Sequence, residues 1–132
     1  MKKIISISLV LVSILLFNSC KKVEGQGGGS TIKGIIYEQK YSLVGTLVAE
    51  YPAVEKDVYI IYGSGNTFYN DRIKTSYDGS FEFNYLEEGD YTVFVYEDSN
   101  TEPSGTNTVI VTTKISVKKS TVDLGTINTK KL

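Results

Sequence analysis

From Asp71 to Tyr96 the chain holds three strand-like runs, in which apolar and polar positions alternate, joined by turns at Gly79 and Gly89. A side-chain period of two is the signature of a half-buried β-strand. Register around Asp78-Gly79 decides which side chains share a face. A two-residue loop would set Phe81 and Phe83 on the same face as Ser76 and Lys74, a poor core. A three-residue loop, Tyr77-Asp78-Gly79, with Gly79 in the left-handed conformation, pairs Thr75 with Phe81 and Ile73 with Phe83. Lys74 and Glu82 then pair on the solvent side. The pattern therefore predicts a hairpin with Ile73, Thr75, Phe81 and Phe83 on its core face.

The remaining chain carries the same period. Thr31 to Tyr37 reads as a first strand, with Ile32, Gly34 and Ile36 on one face. Residues 38–56 read either as a small extra hairpin around Leu43–Val48 or as an irregular loop, ended by Pro52. Asp57 to Tyr62 forms a second strand, with Val58 and Ile60 inward and Tyr59 and Ile61 on the other face. Residues 63–70 and 97–107 are loops. Thr108–Val117 and Thr121–Ile127 supply the last two strands, with Lys118-Lys119-Ser120 between them. Seven short strands without a helical period define an all-β fold, a single β-sandwich. Its expected core is Ile32, Ile36, Val58, Ile60, Ile73, Phe81, Phe83, Leu86, Tyr91, Val93, Val95, Val111, Ile115, Val117, Val122, Leu124 and Ile127.

Composition agrees: ten tyrosines and 12 glycines accompany abundant valine, isoleucine and threonine, with two prolines and no tryptophan among 132 residues. A net charge of −1 leaves no basic footprint, so nucleic acid is not an expected partner. Met1-Lys2-Lys3 followed by the apolar run Ile4–Phe17 has the form of a signal peptide, too short for an ordinary membrane-spanning helix. Phe17-Asn18-Ser19-Cys20 resembles the lipobox of bacterial lipoproteins, with phenylalanine where an aliphatic residue is usual. That resemblance implies a signal peptide over 1–19, lipidation of Cys20 and a membrane anchor. Each acyl methylene buried in the bilayer contributes on the order of 0.8 kcal/mol. The expected location is the cell envelope, at the outer membrane or cell surface of a Gram-negative bacterium. Residues 20–30, rich in glycine, read as a flexible linker, and 31–132 as the sandwich domain.

Ile32-x-Gly34-x-Ile36, Val58-x-Ile60, Thr75-Ser-Tyr-Asp-Gly-Ser-Phe81 and Leu86-Glu-Glu-Gly-Asp-Tyr91-Thr-Val fall in an order that resembles the carboxypeptidase regulatory-like domains. These have a transthyretin-like sandwich of seven strands with Greek-key connections. The resemblance covers about residues 31–128. It departs from the family at Thr75-Ser76, where Thr-Asp is usual, and in a longer first loop. It implies an accessory or adhesive module outside the cytoplasm and transfers no catalytic residue.

The absence of histidine removes the commonest general base, and no nucleophile motif is visible, so the chain is expected not to be an enzyme. Cys20 is the only cysteine, which excludes an intrachain disulfide. Glu87, Glu88 and Asp90 cluster in one turn, where such acids ordinarily serve solubility. Asp71, Asp78 and that turn offer oxygen atoms but no calcium-loop spacing, and no cofactor or metal is expected. Lys33 and Asn128 invite comparison with an intramolecular isopeptide bond, but alternation points Lys33 outward. The remaining candidates are aromatic: Tyr59, Tyr62, Phe68, Tyr69 and Tyr96, expected to be partly exposed and able to contact a partner. The expected function is a non-catalytic structural or protein-interaction module with an envelope or extracellular protein partner. The alternative is a carbohydrate-binding module of a glycan-uptake system, which stacks a glycan on exposed tyrosines.

Overall fold

Alternation builds eight strands in the computed structural model, which describes residues 23–132: β1 (Gln26–Tyr41), β2 (Leu47–Pro52), β3 (Asp57–Tyr62), β4 (Asp71–Lys74), β5 (Ser80–Leu86), β6 (Gly89–Asp98), β7 (Thr106–Ile115) and β8 (Thr121–Lys131). The expected signal peptide, Cys20 and the first residues of the expected linker lie outside the described part. Two sheets pack face to face. In one, β1 is flanked by parallel β8 on one side; on the other it pairs antiparallel with β5 along its first half and β2 along its second. The other sheet is antiparallel, in the order β4-β3-β6-β7. The fold is thus the expected all-β sandwich, with eight strands in place of seven. The added strand is β2, which resolves the alternatives for residues 38–56 as a hairpin. Its turn closes where the Ser42 amide donates to the Thr46 carbonyl at 2.8 Å and the Gly45 amide to the Ser42 carbonyl at 2.9 Å.

The sandwich also starts earlier than Thr31. Gln26–Ser30 belong to β1, and Ser30 is buried. A Cβ on Gly28 would sit 2.0 Å from the Leu86 carbonyl oxygen, so this part of the glycine run serves close backbone approach and not linker flexibility.

The central correction concerns β4 and β5, which do not form a hairpin. The turn itself is the expected one: the Ser76 amide donates to the Ser80 carbonyl at 2.8 Å, the Gly79 amide donates to the Ser76 carbonyl at 3.0 Å, and Gly79 has φ of 79°. Beyond it the strands part into different sheets. Ile73 pairs with Val58, Phe81 with Gly34 and Phe83 with Ile32. The reason is visible at Thr75, whose backbone is already satisfied. Its amide donates to the Lys56 carbonyl at 2.9 Å, and its carbonyl accepts from the Glu55 amide at 3.2 Å. Its buried hydroxyl donates to the Ala53 carbonyl and accepts from the Lys56 amide. With Thr75 held by the β2–β3 connection, Phe81 takes its ladder partner from β1. Lys74 likewise pairs with Glu55 at 3.3 Å instead of Glu82.

Face assignment survives this rearrangement because alternation is a property of each strand alone. Ile32, Ile36, Val58, Ile60, Phe81, Phe83, Leu86, Tyr91, Val93, Val95, Ile115 and Ile127 form the buried core, as expected, joined by Ala53. Ile73, Val111, Val122 and Leu124 sit half-buried at its margin. Val117 is exposed, contrary to expectation, because β7 ends at Ile115 and Val117 belongs to the following turn. There its carbonyl accepts the Ser120 hydroxyl at 2.6 Å.

One end of the core is closed by Tyr91. Its hydroxyl donates to the Glu87 carbonyl at 2.7 Å and accepts from the Gly25 amide at 3.0 Å. This tyrosine-corner arrangement pins the crossing from β5 to β6 and the entry of β1 to one buried atom.

Candidate functional site

Because Val58 and Ile60 point into the core, Tyr59 stands on the outer face of β3. By the same parity Tyr91, Val93 and Val95 turn inward on β6, leaving Phe94 and Tyr96 outside. Register sets Tyr59 directly opposite Phe94. Their rings lie 5.0 Å apart between centroids with planes 10° from parallel. Tyr96 meets Tyr59 edge-on at 5.5 Å and Phe94 at 5.7 Å. The loop between β3 and β4 folds back to bring Tyr69 edge-on to Tyr59 at 4.9 Å. Four rings therefore form one cluster outside the core. Aromatic pairs of this geometry add about 0.5–1.5 kcal/mol each beyond area burial, which favours the four rings staying together.

Its rim is polar. Arg72, opposite Tyr59 on β4, lies 3.8 Å from the Asp57 carboxylate. The neighbouring Tyr59 hydroxyl, and then the Asp57 charge, hold the Arg72 guanidinium even more firmly protonated than usual. The row continues across the sheet to β7, where Ile110 lies opposite Phe94 and is 60% exposed.

Of the expected contact residues, the fold gathers Tyr59, Tyr69 and Tyr96. Phe68 is 83% exposed on the same loop and has no ring partner among the described residues. Tyr62 belongs elsewhere: it shares the inward parity of Val58 and Ile60 and packs edge-on against Tyr91 at 5.8 Å. Burial, followed by the Asp71 charge, raises its pKa. Phe94 was overlooked at the sequence level, although its parity with Tyr96 carried the signal.

Little else among the described residues is organised for chemistry. Lys33 lies 3.7 Å from Asp123, whereas Asn128 pairs with Tyr37, so the two groups an isopeptide bond would join are separated along β1. Among the described residues no group of three histidine, cysteine or acidic side chains could hold a metal ion. A concavity of about 530 Å³ lies between β1, β4, β5 and β8. Its walls carry the Lys33–Asp123 pair, Lys74 and Glu82, and none of the outer aromatic cluster.

No protein-family model matches the sequence, and no curated protein matches it. Solved structures similar in fold include the following two. One is described as a "putative carbohydrate binding protein" from Pseudomonas aeruginosa: 15% identical, TM-score 0.47, covering 82% of this chain and 92% of that one. The other is (S)-allantoin synthase: 12% identical, TM-score 0.43, covering 79% of this chain and 42% of that one. Likenesses of this extent do not reach what the chain binds.

Proposed function

We propose that the protein is a non-catalytic interaction module of the cell envelope, held at the membrane by lipid on Cys20, that contacts a protein partner through the outer aromatic cluster. The observation that carries it is the ordered group Tyr59, Tyr69, Phe94 and Tyr96 on a sheet face, with a charged rim at Arg72 and Asp57. Aromatic and arginine side chains dominate protein–protein hot spots because they bury large areas at low entropic cost. Tyr59 and Phe94 spend ring faces on each other, which suits a flat protein contact better than a sugar-stacking slot. The sequence resemblance to carboxypeptidase regulatory-like domains supports an accessory role in the same way.

A photo-reactive side chain at position 69 of the full-length protein should capture one specific envelope protein. The purified pair should then lose about tenfold or more in affinity on Tyr96→Ala, a change of about 1.4 kcal/mol. Unchanged affinity would sink the assignment of this face. The glycan reading keeps one observation in its favour: Tyr69 is 51% exposed beside Phe68, leaving ring surface that a pyranose could cover. Glycan-array binding abolished by Tyr69→Ala would decide for it. The anchor has its own test, since Cys20→Ala should move the protein from the membrane to the soluble fraction and remove acyl-chain labelling. Retention of both would exclude lipidation at that residue.

A further inference from the structure

Sheet edges invite pairing, and most edges in this fold are guarded. β2 is short, carries Glu50 and ends at Pro52. β4 has four residues, three of them charged. β5 carries Glu82 and an irregular Tyr85 with φ of 61°. β8 is bulged at Gly125 and ends in Lys130 and Lys131. β7 differs from all of these. Its ten residues pair only with β6, in unbroken register, with no proline and no charged side chain before Lys114. Val109 and Val111, on its inner face, are only half covered, and Ile110 on the outer face ends the row Tyr59–Phe94–Ile110 in solvent.

We propose that β7 pairs antiparallel with β7 of a second copy about a two-fold axis at Ile110, joining the two four-stranded sheets into one. The sequence of this edge is self-complementary in that register. Continuity of a sheet requires inner side chains to meet inner ones, so the axis must pass through a residue and not between two. Centred on Ile110, Ile110 meets its own copy, Val109 meets Val111, Thr108 meets Thr112, and Lys114 meets Thr106. Apolar residues face apolar ones, threonines face threonines, and no like charges are opposed. Centred one residue later, Thr108 would face Lys114 and Val109 would face Thr113, wasting the apolar pairs. The pairing also makes the two aromatic rows continuous across the axis. An isologous contact of this kind closes on itself and leaves neither β7 edge free to recruit a third copy.

The test uses the full-length chain in mild detergent. Sedimentation should show a dimer, and Ile110→Lys should raise its dissociation constant about tenfold or more with an unchanged far-UV spectrum. A short bis-maleimide should cross-link Ile110→Cys to itself and should not cross-link Lys114→Cys to itself. A mixture of Thr106→Cys and Lys114→Cys chains should cross-link, with the unsubstituted chain as the control for Cys20. A monomer at the highest soluble concentration, open-ended oligomers, or cross-linking at 114 as efficient as at 110 would each overturn the proposal. If Ile110→Lys disturbs the fold, the cysteine pattern alone decides.

Discussion

Gly79→Val will lower the stability of the sandwich by about 3 kcal/mol or more, or prevent folding, while Ser80→Ala stays within about 1 kcal/mol. Two independent causes act at Gly79. Its φ of 79° lies where β-branched residues are strained. A Cβ there would also sit 2.4 Å from the Ile36 carbonyl oxygen, in front of Pro52 and Ala53. That oxygen cannot retreat cheaply, because it accepts the Ala53 amide at 2.9 Å while the Ile36 amide donates to Gly79 at 2.8 Å. The residue thus joins β1, the end of β2 and the β4–β5 turn. Ser80 loses only the exposed contact of its hydroxyl with Asp78, at 2.6 Å. Urea denaturation of both variants measures the difference, and equal midpoints would show that Gly79 is merely a turn residue.

Tyr91→Phe is expected to cost about 1–3 kcal/mol, although its ring stays in place. The substitution strips the donor from the Glu87 carbonyl and the acceptor from the Gly25 amide, in a corner where the tyrosine is buried. The same burial, only partly offset by the hydrogen bond from Gly25, raises the pKa of the phenol above its ordinary value near 10. The sign follows from proton binding. Above the unfolded tyrosine pKa, the folded chain holds a proton that the unfolded chain has released. Stability is therefore full below about pH 10 and declines as pH rises toward the folded pKa. Thermal melts from pH 8 to 11 should show this alkaline decline, with a smaller one in Tyr91→Phe. Tyr62, also raised by burial, contributes in the same direction. Equal alkaline slopes in the two proteins would remove Tyr91 as the titrating group.

The aromatic cluster was half legible before folding. Tyr59 and Tyr96 follow from counting outward positions on β3 and β6, and the same count names Phe94 and removes Tyr62. Tyr69 was a candidate only by residue type, since nothing local states that the loop after Gly63 turns back over Tyr59. The core was more legible, because burial follows each strand's own alternation. Its one clear failure, Val117, lies past the end of a strand, where parity no longer applies.

By itself the sequence determined the strand faces and the three-residue Tyr77-Asp78-Gly79 turn, because both depend on residues within a few positions of one another. Only the tertiary structure decided which strands pair. The Ser76–Ser80 turn is equally compatible with a hairpin and with an arch between sheets. The choice fell to Thr75, whose backbone groups are satisfied by Glu55 and Lys56 about twenty residues earlier. Gly28 was settled in the same way: as composition the glycine run signifies flexibility, and at Gly28, where a Cβ would meet the Leu86 carbonyl, it signifies a strand packed too closely for a side chain. Hydrogen-bond partners and contact distances are non-local quantities, and they turned an apparent hairpin into a crossing between sheets and the end of an apparent tether into the first residues of β1.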